Sequence, residues 1–343
     1  MITHSQASAA APVPSVAIDE FVQPDRKLIR LVRAAADEPR SVAALCDTLT
    51  GQLASYRQQM LDHGGLLLRG YDIQSAADFE QLADVFLTVQ ESYIGGVSHR
   101  SRIHNNVYNT TDAPANMRIE QHLEATHTPR PPQTILFNCQ RAASSGGETP
   151  LASFIELFDA LPAAITDTLL QEKILYTRQL IDREGALFRS LPKRVTTSLA
   201  LSWQEVSGCD DYTTACERLR AEGYDVRLRP RQGLETVCVQ PLISAHPVTG
   251  RLRWYLSDQI TRVLPWYTRL PRYALRRFMG MEFSFESGRV RDQGLFEQVH
   301  RTLEELRFAF RWQPGDVLVL DNEQMSHGRS PFAGERLILT AFG

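Results

Sequence analysis

No run of this 343-residue chain is apolar for long enough to cross a bilayer, so no membrane-spanning helix is expected. The start, Met1 to Asp19, lacks the basic and apolar blocks of a secretory signal, which points to a cytoplasmic protein. A basic surplus is missing too. Lys plus Arg is 37 against 40 for Asp plus Glu, a formal net charge of −3, which argues against a general nucleic-acid binder. Cysteine is sparse. Cys46, Cys139, Cys209, Cys216 and Cys238 contain no C-x-x-C pair and are odd in number, so neither a cysteine zinc site nor a disulfide framework is expected. A metal would have to be held by histidine and carboxylate. There is no internal repeat, and no Pro/Gly/Ser-rich linker divides the chain after residue 25. What remains is a flexible tail, residues 1–20, rich in Ala, Ser and Pro over Met1 to Val16, and then a single domain over 21–343.

Within that domain the hydrophobic period changes along the chain. Val42, Leu45, Leu49, Leu53, Tyr56 and Met60 recur at spacings of three and four, the stripe of one amphipathic helix that Gly64-Gly65 would end. Leu66-Leu67-Leu68 reads as a short buried strand. Ser75 with Asp78 three residues on resembles a capping box, opening a helix that buries Phe79, Leu82 and Phe86. From about Val107 short β-branched runs take over: Thr134 to Phe137, Ile174 to Thr177, Thr236 to Gln240, Arg253 to Leu256, Val317 to Leu320 and Leu337 to Thr340. His246-Pro247-Val248-Thr249-Gly250 supplies the turn of a hairpin. Gly294 to Phe310 is the clearest helical insertion, with Leu295, Val299, Leu303 and Leu306 on one face. Short strands with peripheral helices, and no regular β-α alternation, predict a mainly β domain built as a sheet sandwich.

Most of the nine histidines have ordinary explanations. His4 lies in the tail, His63 and His300 near helix ends, His99 and His104 in a basic polar loop, and His246 before a turn proline. His122-Leu123-Glu124 differs, because residues two apart in an extended segment project to the same face. His327, just after the Val317 to Leu320 run and Asp321-Asn322, is the candidate third member. Two His and one carboxylate on one face of a metal is the set found in non-haem iron(II) oxygenases, with positions left open for other ligands. On these residues alone, a structural role is an equal alternative.

Several longer blocks carry a resemblance. Gly65-Leu66-Leu67-Leu68-Arg69-Gly70 comes first, then Gln121-His122-Leu123-Glu124, Pro131-Pro132 and Gly146-Gly147-Glu148-Thr149-Pro150. Gly315-Asp316-Val317-Leu318-Val319-Leu320-Asp321-Asn322, His327-Gly328-Arg329-Ser330-Pro331-Phe332 and Gly334-Glu335-Arg336 follow. In this order the blocks resemble the taurine/2-oxoglutarate dioxygenase (TauD/TfdA-like) family, including its SyrP-like hydroxylases. The resemblance implies a double-stranded β-helix, or jelly roll, that uses Fe(II), 2-oxoglutarate and dioxygen. It implies His122, Glu124 and His327 as the metal ligands. Thr149, 25 residues after Glu124, and Arg336 match the residues that hold the distal carboxylate of 2-oxoglutarate. A guanidinium fork suits a carboxylate through two parallel charge-assisted bonds. Arg329 is a rival anchor, expected in a more open loop and nearer the primary substrate. The carboxylate ligand is Glu where many members have Asp. Related halogenases carry a small residue there, so Glu124 favours oxygenation.

The implied chemistry splits 2-oxoglutarate to succinate and carbon dioxide and oxidises an unactivated carbon of a small molecule. The nearest members act on amino acids, free or bound to a carrier protein, in natural-product pathways. Desaturation, cyclisation and N-oxygenation are alternative outcomes, and a jelly-roll binding protein without turnover is an alternative of another class. His127, Arg100, Arg102 and Arg118 are possible substrate contacts, with solvated side chains as the ordinary reading.

Overall fold

The computed structural model describes residues 20–35, 39–87, 103–104, 107–109, 113–191, 193, 201–257, 281–287 and 293–343. The expected tail, apart from Glu20, lies outside them, as do His99, Arg100 and Arg102. No helix of the described residues is long and apolar enough to cross a membrane.

The run Val317 to Leu320 becomes the spine of the larger sheet. In spatial order that sheet holds β1 (Phe21–Gln23), β2 (Leu28–Arg33), β3 (Gly65–Arg69), β15 (Val317–Asp321), β6 (Thr134–Arg141), β18 (Leu337–Phe342) and β4 (Tyr108–Asn109). Only β2 and β3 pair in parallel; the other neighbours are antiparallel. Alternation along each strand sends Leu66, Leu68, Leu136, Val317, Val319, Leu339 and Ala341 to one face. Leu67, Ile135, Phe137, Leu318, Leu320 and Ile338 go to the other. Both faces are covered, which is why these strands read as unbroken apolar runs.

Helices cover the first face: α1 (Val42–Gly51), α2 (Leu53–His63) and α3 (Ala76–Phe86). The single helix expected across 42–60 is two. It breaks at Gln52 (φ −124°, ψ 19°), directly after Gly51, a residue that weakens a helix interior. The apolar stripe survives the break, because Leu45, Leu49, Tyr56 and Met60 still enter one cluster. The capping box of α3 is present as expected, with Ser75 and Asp78 bonded to each other's backbone N–H.

The second face looks onto a small sheet of β5 (Ile119–His122), β16 (Met325–Arg329) and β8 (Leu151–Ser153), with β16 central. Leu151 and Met325 join the inner residues of the larger sheet in one core. Farther out, β10 (Asp225–Arg229), β11 (Gly233–Pro241), β9 (Lys173–Leu180) and β14 (Glu282–Phe285) form a third sheet. It packs with the helices Phe154–Ala160, Trp203–Ser207, Tyr212–Ala221 and Gln293–Leu306 around a separate apolar cluster. The last helix ends before the expected Phe310, because Phe308 leaves it to exchange backbone hydrogen bonds with Leu151. The expected hairpin joins β12 (Ile243–Ala245) to β13 (Leu252–Trp254). A short pair, β7 (Ser145–Gly146) and β17 (Phe332–Ala333), completes the described strands. The result is mainly β with peripheral helices.

Candidate active site

Three residues distant in sequence meet where β5 runs beside β16. His122 and His327 are partners in that antiparallel ladder, and their ring centroids lie 4.4 Å apart. β5 stops at His122, and Glu124 begins a turn in which Ala125 takes φ +57°. The carboxylate therefore comes round to the histidines at a turn, not by the strand alternation expected of an extended H-x-E segment. Glu124 Oε2 is 3.7 Å from His327 Nε2, and one ligand atom from each of the three side chains lies within 4.8 Å of the others. Among the described residues this is the only group of three such side chains that could hold a metal ion. Glu124 and His327 are buried and His122 is half-buried.

Local contacts prepare each member. The Glu120 carbonyl accepts from His122 Nδ1–H at 2.8 Å, which puts the imidazole lone pair on Nε2. Phe137, from the inner face of the larger sheet, packs edge-on against His327 at 5.0 Å. Gly328 permits the close approach of the two strands, since a Cβ there would stand 2.6 Å from the Ile119 carbonyl oxygen. Asn322 holds the Glu124 backbone from both sides. Its side-chain oxygen accepts from the Glu124 N–H at 2.7 Å, and its NH₂ donates to the Glu124 and Pro132 carbonyls at 3.1 and 2.7 Å. In sequence Asn322 reads only as a turn former; its place directly after Asp321 and five residues before His327 is the one signal.

On its other edge β16 pairs with β8, and past His327 this pairing continues into the run that precedes β8. Gly328 N–H donates to the Pro150 carbonyl and Ser330 N–H to that of Glu148, both at 3.0 Å, so Thr149 stands opposite Arg329. Thr149 is 3% exposed, and its Oγ1 accepts from Trp312 Nε1 at 3.1 Å. Arg336, immediately before β18, donates from Nε to the Gly147 carbonyl at 2.9 Å. Gly147 has φ +74°, and a Cβ on it would meet Arg336 Cδ at 3.1 Å, so the contact needs glycine. Burial first, and then the nearby Arg329 cation, pulls the Arg336 guanidinium from 12.5 down to about 10. Among the described residues no carboxylate forms an ion pair with it.

Arg329 does not lie in the open loop expected of it. Backbone pairing with Glu148 and Pro150 extends β16 through Arg329, which is 6% exposed. Its guanidinium donates to the carbonyls of Ala113, Pro114 and Met117 at 3.0, 2.6 and 3.0 Å. Both guanidiniums stand over the Phe332 ring, at 5.3 Å for Arg329 and 5.7 Å for Arg336.

Residues 31–342 match the family described as taurine catabolism dioxygenase TauD, TfdA family. The chain belongs to the TauD/TfdA family. It is 27% identical over 289 residues to the dapdiamide synthesis protein DdaC of Enterobacter agglomerans, a match covering 82% of each chain. A clavaminate synthase-like protein of Arabidopsis thaliana is 24% identical over 286 residues, covering 82% of this chain and 81% of its own. Two solved structures share the fold. AAD-2, in complex with Mn(II) and N-oxalylglycine, superposes with a TM-score of 0.52 at 15% identity over 92% of both chains. PvcB of Pseudomonas aeruginosa does so at 0.52 and 14%, over 92% of this chain and 85% of its own. The sandwich is thus the family's jelly roll. This TauD/TfdA-family enzyme is a 2-oxoglutarate-dependent dioxygenase that uses iron.

The remaining candidates fare unevenly in this dioxygenase. His127 is half-buried rather than solvated, with its ring edge-on to Tyr176 at 6.3 Å, one turn past Glu124. Arg118 is already engaged, with Nε 3.0 Å from Glu120 and a second ion pair to Glu304. His246 is structural: Nε2 donates to Asp321 at 3.0 Å, while Nδ1 accepts from the Val248 and Thr249 N–H groups. His104 pairs with Glu80.

Proposed function

We propose that His122, Glu124 and His327 hold iron(II), that Thr149 and Arg336 hold the distal carboxylate of 2-oxoglutarate, and that the enzyme hydroxylates an unactivated carbon of an amino acid, free or carrier-bound, in natural-product biosynthesis. One observation carries the site assignment. A three-donor cluster and a half-buried arginine that has no carboxylate partner among the described residues are joined by the pairing of residues 147–151 with residues 327–331.

The donor set suits the metal. Imidazole and carboxylate ligands favour iron(II), and three protein donors leave positions for co-substrate and dioxygen. Ligands about 2.1 Å from one ion stand roughly 3–4 Å apart, and the 3.7 Å between His327 Nε2 and Glu124 Oε2 falls in that range. When bound, the iron and 2-oxoglutarate supply oxygen activation with loss of carbon dioxide and formation of succinate. The protein supplies geometry and charge. His122 presents an unprotonated Nε2, and Glu124 contributes one negative charge held in place through Asn322. Arg336 offers the rest of its fork to an anion, and Phe137 packs an apolar ring against His327. Glu124 occupies the carboxylate position, which supports oxygenation over halogenation.

Support for the substrate class comes from two relatives: DdaC, named for dapdiamide synthesis, and PvcB, described as an oxygenase from an isonitrile synthetic pathway. The test is a screen of amino acids and their carrier-bound forms for substrate-dependent succinate release. The expected result is a product heavier by one oxygen atom on carbon. A product lighter by two hydrogens, or oxygenated on nitrogen, would replace hydroxylation with desaturation, cyclisation or N-oxygenation. Release driven only by compounds lacking an amino-acid unit would overturn the substrate class.

A further inference from the structure

The hydrogen bond between Trp312 and Thr149 has a fixed direction. An indole N–H can only donate, so Thr149 Oγ1 must be the acceptor at 3.1 Å. The threonine hydroxyl then has one proton left to give. Among the described residues it gives it to nothing: Thr149 makes no other hydrogen bond, although it is only 3% exposed. A buried hydroxyl that accepts without donating is a donor prepared for something outside the protein. A threonine in an extended run would otherwise be able to turn its proton onto a local carbonyl or a neighbouring acceptor.

The surroundings say which kind of acceptor. Trp312 is itself 6% exposed, packed at 4.7 Å against Phe310 in the core between the sheets, so the indole is not free to swing. Gly147, two residues before Thr149, carries the Nε bond of Arg336, whose guanidinium has no carboxylate partner among the described residues. An acceptor reached by both the hydroxyl and the guanidinium is an anion.

We infer that Trp312 is a positioning residue for co-substrate binding: its indole N–H sets the polarity of the Thr149 hydroxyl, so that the proton points to the distal carboxylate of 2-oxoglutarate. This rests on the reading that Thr149 holds that carboxylate. Trp312 touches neither metal nor co-substrate in this role, and acts only through Thr149.

The test is calorimetric binding of 2-oxoglutarate to the Mn(II)-loaded full-length protein without turnover, for the wild type, Thr149→Val, Trp312→Phe and the double variant. 2-Oxopentanoate, which has a methyl in place of the distal carboxylate, is the control ligand. Trp312→Phe is expected to weaken 2-oxoglutarate roughly fivefold and Thr149→Val about tenfold, the scale of one hydrogen bond. The double variant should match Thr149→Val alone, because the two act as a unit. Binding of 2-oxopentanoate should be the same in all four. If Thr149→Val weakens 2-oxoglutarate and Trp312→Phe does not, or if the two losses simply multiply, the role of Trp312 is refuted while that of Thr149 stands. If Thr149→Val has no effect, the reading of Thr149 fails and the inference falls with it. Should Trp312→Phe not fold, the ¹H–¹⁵N signal of the Trp312 indole in Zn(II)-loaded wild type decides. It should shift with 2-oxoglutarate but not with 2-oxopentanoate, and equal shifts with both ligands would overturn the inference.

Discussion

The two ends of the site are built on different principles. At the proposed metal end, position is fixed by backbone: His122 and His327 are ladder partners, and Asn322 grips the Glu124 peptide from both directions. At the proposed anion end, position is set by the run from Gly147 to Pro150, whose backbone pairs with residues 328–331, and charge is left unbalanced. Arg336 is half-buried beside a second cation, the buried Arg329, and neither has a carboxylate on it among the described residues. The two arginines divide this work. Arg329 spends its fork on three carbonyls and ties residues 113–117 to β16; Arg336 uses only Nε on Gly147. Damage to the first end should therefore appear as lost metal, and damage to the second as lost co-substrate.

The largest expected effect is at the metal end. His122→Ala or His327→Ala should remove bound iron and turnover together, read by metal analysis and succinate release; full activity in either variant would dissolve the triad. Next comes Arg336→Ala. Losing the partner of an enclosed carboxylate costs about 3–5 kcal/mol, so 2-oxoglutarate affinity should drop roughly 10²–10⁴-fold with iron retained. The ligand-free protein should melt no lower, because a partly desolvated cation without a carboxylate partner is a burden on stability rather than a support.

Asn322→Ala tests whether the two ends are separable. It leaves the Glu124 peptide and the Pro132 carbonyl without their partner, so iron affinity should fall about 10–100-fold and the melting temperature should drop. An effect on 2-oxoglutarate with iron affinity unchanged would blur the distinction. Arg329→Ala should release residues 113–117, seen as faster cleavage there by a low dose of protease, with less than about a tenfold change in 2-oxoglutarate affinity.

The smallest effect is on pH dependence. Arg336 has a folded-state value of about 10, below that of the unfolded chain, so between the two values the folded protein binds fewer protons. Its unfavourable contribution to stability is thus full below about 10 and fades above it. Co-substrate affinity should run the opposite way, level from neutral pH upward and falling as pH rises through about 10. A fall already complete well below that value would point to a different titrating group.

The sequence carried the scaffold further than the site. Leu66-Leu67-Leu68 and Val317 to Leu320 were legible as buried strands because both faces are covered and every position is apolar. The break at Gln52 was not, since the apolar stripe runs through it in step and only Gly51 hints at a stop. The three metal-site candidates were legible by resemblance, although the reason offered for His122 and Glu124 converging was wrong, because a strand was assumed where a turn begins. Arg329 was misplaced because Gly328 suggests a loop, while the glycine in fact lets two strands touch. Trp312 and Asn322 were invisible. A tryptophan beside a turn and an asparagine in one have commoner explanations than holding a hydroxyl or the Glu124 peptide.

The most direct single measurement is a crystal structure of the protein with Mn(II) and N-oxalylglycine. The metal is expected on His122 Nε2, Glu124 and His327 Nε2, with the distal carboxylate of the ligand on Thr149 Oγ1 and the Arg336 fork. A distal carboxylate seated on Arg329, or a metal held by other residues, would contradict the division between the two ends.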